Sequence, residues 1–180
     1  MKVEQSQVTK LVITGVNRHD PIHVYLEDFG ENRGQVTINE SNDSYSYYWG
    51  SMGCSLVEFL LSIDNDYWIM KLAPNLYSTI DDDNDANIAF AKKQVSELHK
   101  DNEIDKEKAR YWWNLIERSD NVKRDCCDYY VDSELLELFG DDAWYNNWPS
   151  VPNPEYARME GRLNAVREAI KQIKVEHDNY

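Results

Sequence analysis

The residues most suggestive of chemistry are three aspartates at alternating positions, Asp81, Asp83 and Asp85. Calcium-binding loops place their first oxygen ligands at this spacing. Such loops also use a glycine at the sixth position and a glutamate at the twelfth, where this chain has Ala86 and Lys92. Both departures favour another interpretation, in which the acidic run begins a helix and is stabilised by the helix dipole. We therefore predict no metal site here.

A pair of glycines, Gly50 and Gly53, lies between a predicted strand and a predicted helix, where a phosphate-binding loop could be found. The segment lacks the Gly-Lys-Ser/Thr sequence that contacts phosphates and magnesium, which favours a tight turn. His23 and Cys54 could meet in space as a base and a thiol, so an enzyme or small-ligand binder remains one alternative. The histidines and cysteines have no zinc-site spacing. We predict no catalytic residue and no cofactor.

The strongest feature is the segment 111–150, which is both acidic and rich in tryptophan. It holds nine aspartates and glutamates against three lysines and arginines, a net charge of −6, and four of the six tryptophans. Carboxylates beside large rings suit a surface that docks on a basic partner, because rings supply contact area and charge steers the encounter. The predicted partner-binding residues are Asp125, Asp128, Asp141, Asp142, Trp144, Tyr145 and Trp148. The alternative is that the aromatic residues of 144–148 only cover the helical layer.

In the helix predicted after Asp105, Trp112 and Trp113 occupy consecutive positions. Consecutive helical side chains point in different directions, so one of the two is expected in the core and the other at its edge or outside it.

The overall charge limits which classes of partner the protein can bind. The chain of 180 residues has a net charge of −14, which argues against direct contact with nucleic acid or with an anionic membrane. No apolar stretch resembling a signal peptide or membrane span follows Met1, so a cytoplasmic location is expected. Adjacent Cys126 and Cys127 are expected to be reduced.

The elements that position these residues follow from the hydrophobic periodicity. Residues 8–50 alternate with a period of two, as in Ile22, Val24 and Leu26, and short polar turns separate the alternating runs. This pattern predicts an antiparallel meander of three or four strands.

Helices are predicted from about residue 55 to about residue 175. The first begins with a Ser55 to Glu58 capping box, and the last begins at Pro154 with Asn153 as its cap. The segment 141–154 is predicted to be an ordered loop. We expect an α+β fold, with the helical layer on the meander, in one domain spanning residues 1–180.

Several short motifs resemble those of a group of small proteins of tailed phages and prophages. The motifs are Asp20-Pro21-Ile22, Val24-Tyr25-Leu26-Glu27-Asp28, Gly34-Gln35-Val36-Thr37-Ile38, Tyr48-Trp49-Gly50-Ser51-Met52-Gly53, Leu138-Phe139-Gly140-Asp141-Asp142 and Pro152-Asn153-Pro154-Glu155-Tyr156. The resemblance covers most of the chain apart from a charged insert around residues 81–120. It carries no activity and no catalytic residue. It implies a small accessory phage protein.

Small acidic phage accessory proteins without enzyme motifs are often inhibitors of bacterial defence. By this analogy we expect an anti-CRISPR-like protein that binds a basic, DNA-handling surface of a host complex, such as a CRISPR effector or a restriction system. The first alternative is a phage structural or assembly protein, or one that forms homo-oligomers. The second is the enzyme or small-ligand binder described above.

Overall fold

A computed structural model describes residues 1–3, 5 and 7–178. The chain divides into two compact units: the first unit comprises residues 1–77 and 154–180, and the inserted unit comprises residues 78–153. The sequence pattern predicted a single α+β domain over residues 1–180. That single domain stays a prediction.

The first unit is built on a four-stranded antiparallel sheet with the strand order β1-β2-β3-β4. The strands are β1 Thr9–Ile13, β2 Ile22–Gly30, β3 Arg33–Glu40 and β4 Asp43–Trp49. The alternating apolar residues of β2 are buried, and two of them pair with apolar residues of β3: Val24 with Ile38, and Leu26 with Val36. The predicted meander is confirmed.

Three helices pack on the buried face of this sheet. They are α1 Leu56–Ser62, α2 Asn65–Leu72 and α6 Pro154–Asp178. The predicted capping box begins α1, because the Ser55 hydroxyl accepts a hydrogen bond from the Glu58 amide at 3.4 Å and the Glu58 carboxylate accepts one from the Ser55 amide. In α6, Met159 and Leu163 belong to a buried stripe that meets the core. The α+β fold class is confirmed.

A buried ionic cluster ties α6 to the end of β3. Glu40 has a fully buried side chain that accepts hydrogen bonds from Arg158 at 3.1 Å, from Arg162 at 2.5 Å and from the amide of Asp20 at 3.1 Å. The Nδ1 atom of His19 lies 3.1 Å from the same carboxylate. Burial raises the pKa of Glu40, but the hydrogen bonds from His19, Arg162 and Arg158 outweigh it and lower that pKa to about 2.

The ring of His19, which contacts Glu40, packs closely against Gly161 of α6. A Cβ atom at Gly161 would lie 3.1 Å from Nε2 of His19, a tighter approach than side chains normally make. Glycine is unfavourable within a helix, so the close packing of the ring accounts for this residue.

The inserted unit is a compact helical unit whose two ends are paired. Its elements are β5 Thr79–Ile80, α3 Asn84–Lys100, α4 Lys106–Arg118, α5 Val122–Cys127, a 3-10 helix Glu134–Leu138, a second 3-10 helix Ala143–Tyr145 and β6 Val151–Pro152. Strand β5 pairs with β6, and the Asn153 amide donates to the Ser78 carbonyl at 2.9 Å. The core contains Ala91, Val95, Trp112, Ile116, Val122, Cys126, Cys127, Leu135, Leu138 and Ala143.

Two aspartates determine where the long helices of this unit begin. Asp83 caps α3 by accepting a hydrogen bond from the Ala86 amide at 2.9 Å, and Asp105 caps α4 by accepting one from the Lys108 amide at 2.7 Å.

The prediction that residues 141–154 form an ordered loop is corrected in detail. This segment contains the second 3-10 helix and strand β6 as well as loop.

Candidate functional site

An exposed surface of the inserted unit combines carboxylates and aromatic rings. We call it the acidic aromatic surface and define it by Tyr129, Tyr130, Asp141, Asp142, Trp144 and Tyr145. The four rings retain 62% (Tyr129), 101% (Tyr130), 54% (Trp144) and 87% (Tyr145) of their full exposure. Aromatic side chains of this size are more often covered by packing or by a partner.

Two short segments meet to form this surface. The chain leaves α5 at Asp128, whose carboxylate accepts a hydrogen bond from the Tyr130 amide at 2.9 Å and thereby shapes the turn. The hydroxyl of Tyr129 then donates to the Asp141 carbonyl at 3.0 Å and ties residues 128–131 to the acidic turn. The second 3-10 helix follows that turn directly.

The electrostatic character of the surface is visible at Tyr129. Partial burial raises the pKa of its phenol, and the nearby carboxylates of Asp141 and Asp142 raise it further, because negative charge disfavours the phenolate. The phenol therefore stays a neutral hydrogen-bond donor at neutral pH.

The inserted unit as a whole is acidic. It has eighteen aspartates and glutamates against nine lysines and arginines, so it holds a net charge of −9 out of the chain's −14.

Two predicted members of the site have structural partners instead. Asp125 is half-buried, accepts a hydrogen bond from the Ser119 hydroxyl at 2.6 Å and lies 3.5 Å from the Arg124 guanidinium. Trp148 packs against the rings of Phe90 and Phe139 at centroid distances of 5.1 and 4.9 Å. Its indole N–H donates to a backbone carbonyl at 2.9 Å. Trp148 thus covers the core of the unit, as the alternative interpretation expected for this segment.

The other predicted residues divide in the same way. Asp128 is half-buried and shapes the turn before Tyr130, whereas Asp141, Asp142, Trp144 and Tyr145 are exposed. Of the two consecutive tryptophans in α4, Trp112 is buried and Trp113 is 38% exposed, so the prediction that only one of them lies in the core is confirmed.

Sequence reasoning missed Tyr129 and Tyr130. The signal available was an adjacent aromatic pair immediately after Asp128, where the helical periodicity of α5 stops. A polar residue that ends a helix predicts a connecting turn, and connecting turns lie at the surface.

The other candidate chemistries have structural explanations. In the aspartate run, Asp83 caps α3 and Asp82 accepts a hydrogen bond from the Asn87 side chain at 3.0 Å. Within residues 1–3, 5 and 7–178, no group of three or more His, Cys, Asp or Glu side chains is placed to hold a metal ion.

The glycine turn after β4 is a tight connection. The Met52 amide donates to the Asn32 carbonyl at 2.8 Å, and Gly53 has φ of +77°, a conformation that favours glycine. That bond places the turn beside the β2–β3 hairpin, whereas His23 pairs with Asn39 toward the other end of the sheet. The suggested meeting of His23 with Cys54 is therefore wrong.

No helix in the described part of the chain is both long and apolar enough to cross a membrane. Comparisons with curated proteins and with solved structures found no match. A family model described as a phage family, Phage_phiTE_072, matches residues 1–172. The charged insert that the sequence resemblance left out, around residues 81–120, lies inside this match. The chain therefore belongs to this phage protein family, whose function is unknown.

Proposed function

We propose that this protein is a phage anti-defence protein whose acidic aromatic surface binds a basic, nucleic-acid-handling surface of a host complex and blocks access to it. The observation that supports the proposal is the exposure of four large rings beside Asp141 and Asp142. Membership of a phage protein family supports the phage origin.

The rings supply the binding energy in this proposal. Tyrosine and tryptophan are enriched among the few interface residues that account for most of the affinity, because they bury a large area with few rotatable bonds. Truncating such a residue commonly costs about 2 kcal/mol or more, which corresponds to a roughly 30-fold weaker Kd.

The carboxylates select the partner. A net charge of −9 on the inserted unit attracts positively charged surfaces and repels nucleic acid. A DNA-handling channel is rich in lysine and arginine and is therefore the kind of protein surface that fits. Binding there would place carboxylates where phosphates otherwise lie.

The test uses a charge-matched pair of variants. Asp141→Lys with Asp142→Lys reverses the charge on the acidic aromatic surface, and Asp120→Lys with Asp132→Lys makes the same change in net charge at exposed acids outside it. Tagged proteins would be used to capture partners from a nuclease-treated bacterial lysate that contains CRISPR and restriction systems, with elution in steps of salt. We expect the parent and the control to retain a basic complex that the first variant loses.

A functional readout accompanies the capture. Each variant is expressed in cells that carry the captured defence system, and the plating efficiency of a sensitive phage is measured. The parent should raise the plating efficiency, and Trp144→Ser with Tyr145→Ser should abolish the effect. Equal protection by the parent and the Asp141 and Asp142 variant would contradict the proposal. Recovery of phage structural proteins alone would favour the assembly alternative.

A further inference from the structure

A groove between α3 and α4 of the inserted unit has a chemistry unlike the rest of this acidic chain. It is open to solvent and has a volume of about 600 Å³, and we call it the basic groove. Its defining residues are Val95 and His99 on α3, with Lys106, Ala109, Arg110 and Trp113 on α4. The α4 members recur at spacings of three and four, so they share one face of the helix.

Two cations of the groove have no ion-pair partner among the described residues. Lys106 and Arg110 form no ion pair with any residue that the structure describes. Glu117 also lines the groove, but its carboxylate is engaged by Lys92 at 2.8 Å and by the indole N–H of Trp113 at 3.1 Å. The groove therefore presents two unpaired positive groups.

The floor of the groove is apolar and partly open. Val95 and Ala109 form part of it, and Trp113 keeps 38% of its surface exposed. The ammonium group of Lys92 lies 4.8 Å from the centre of the Trp113 ring and covers part of it. A ligand that fits must offer carboxylates to the cations and an apolar or aromatic group to the floor.

We propose that the basic groove binds the acidic aromatic surface of a second copy of this chain. Asp141 and Asp142 would face the unpaired cations of the groove, and the rings of Trp144 and Tyr145 would cover its floor. Each copy has one groove and one such surface, so the contact is head-to-tail and the assembly can grow by repetition.

The high net charge does not prevent this contact. At physiological ionic strength the Debye length is about 8 Å, so the repulsion between distant charges on two touching copies is largely screened, whereas the charges paired at the contact are close enough to attract. The inference is independent of the proposed function. It does imply that self-association covers the surface that a host partner would use.

Sedimentation velocity over a range of concentrations tests the proposal with two single variants. Arg110→Glu reverses a charge in the basic groove and leaves the acidic aromatic surface unchanged. Asp142→Arg reverses a charge on that surface and leaves the groove unchanged. The parent should increase in mass with concentration, and each variant alone should associate at least tenfold more weakly. An equimolar mixture should recover association, because the intact groove of one variant can bind the intact acidic aromatic surface of the other, and the two reversed charges can also pair with each other.

Lys93→Glu and Asp120→Arg provide matched controls, since both residues are exposed and lie outside the two surfaces. Circular dichroism of every variant checks the fold. A parent that stays monomeric, single variants that associate like the parent, or a mixture that stays monomeric would each overturn the proposal. Arg110→Glu should still capture the host complex in the lysate experiment, so failure of self-association and failure of the proposed function are distinguishable.

Discussion

Replacing Glu40 by glutamine should destabilise the first unit by about 3–5 kcal/mol, since removal of one partner of a buried ion pair leaves the other charge uncompensated. Here the group that loses its nearest carboxylate is Arg162, whose side chain is only 3% exposed and retains only the longer contact with Asp43 at 3.8 Å. Glutamine keeps the shape of the side chain and removes its charge. The difference in unfolding free energy between the parent and this variant therefore measures the contribution of the ionic cluster and not the cost of a cavity.

The pH dependence of the same variant gives a second, independent magnitude. The pKa of Glu40 is about 2 in the folded protein against an ordinary value of 4.5, and this gap corresponds to about 3 kcal/mol at roughly 1.36 kcal/mol per unit. A carboxyl whose folded pKa is depressed stabilises the fold above its unfolded pKa. That stabilisation is lost as the pH falls from about 4.5 to about 2.

The assay is urea unfolding followed by tryptophan fluorescence at about pH 7, pH 4.5 and pH 2.5. The difference in unfolding free energy between the parent and Glu40→Gln should decrease by about 3 kcal/mol across this range. Glu31→Gln is the matched control, because its ion pair with Arg33 is exposed and should contribute less than about 1 kcal/mol. A Glu40→Gln variant that loses less than about 1 kcal/mol at neutral pH, or whose difference from the parent does not change with pH, would refute the reasoning.

Two further predictions use other features. Gly161→Ala should lower the unfolding free energy, measured with urea, by about 1–3 kcal/mol, because the new methyl group meets His19. This loss is expected although alanine normally stabilises a helix relative to glycine. A gain in stability would show that the ring moves away freely. Burial raises the pKa of Cys126 to about 12 and that of Cys127 to about 11, so a thiol reagent at neutral pH should label Cys54 first and the other two only as the inserted unit opens. Rapid labelling of three thiols in the folded protein would contradict this.

Local patterns predicted much of the fold. The alternation around Val24 predicted the meander, and the Ser55 capping box predicted the start of α1. The short ladder of β5 and β6 was missed, because two-residue strands have no periodicity and their pairing joins residues more than seventy positions apart. The boundary between the two units coincides with this pairing of distant residues. No stretch of linker-like composition marks that boundary in the sequence.

The candidate site was predicted less completely, for a related reason. Trp144 and Trp148 lie four residues apart in the same acidic segment, yet one is exposed and the other packs on Phe90 and Phe139. Which of them faces inward depends on residues that are distant in sequence, so composition alone does not distinguish them. Likewise, only the packing of α3 beside α4 brings Val95 to the groove with Arg110.

The pairing of Ser78 with Asn153 has a consequence for how such a protein can change. Because both ends of the inserted unit lie side by side, a short linker is long enough to close the gap that removal of residues 78–153 would leave. A phage could then replace the acidic aromatic surface and the basic groove together while keeping the sheet and its ionic cluster. Variation of these two surfaces and conservation of the sheet would then be separate events in the same gene.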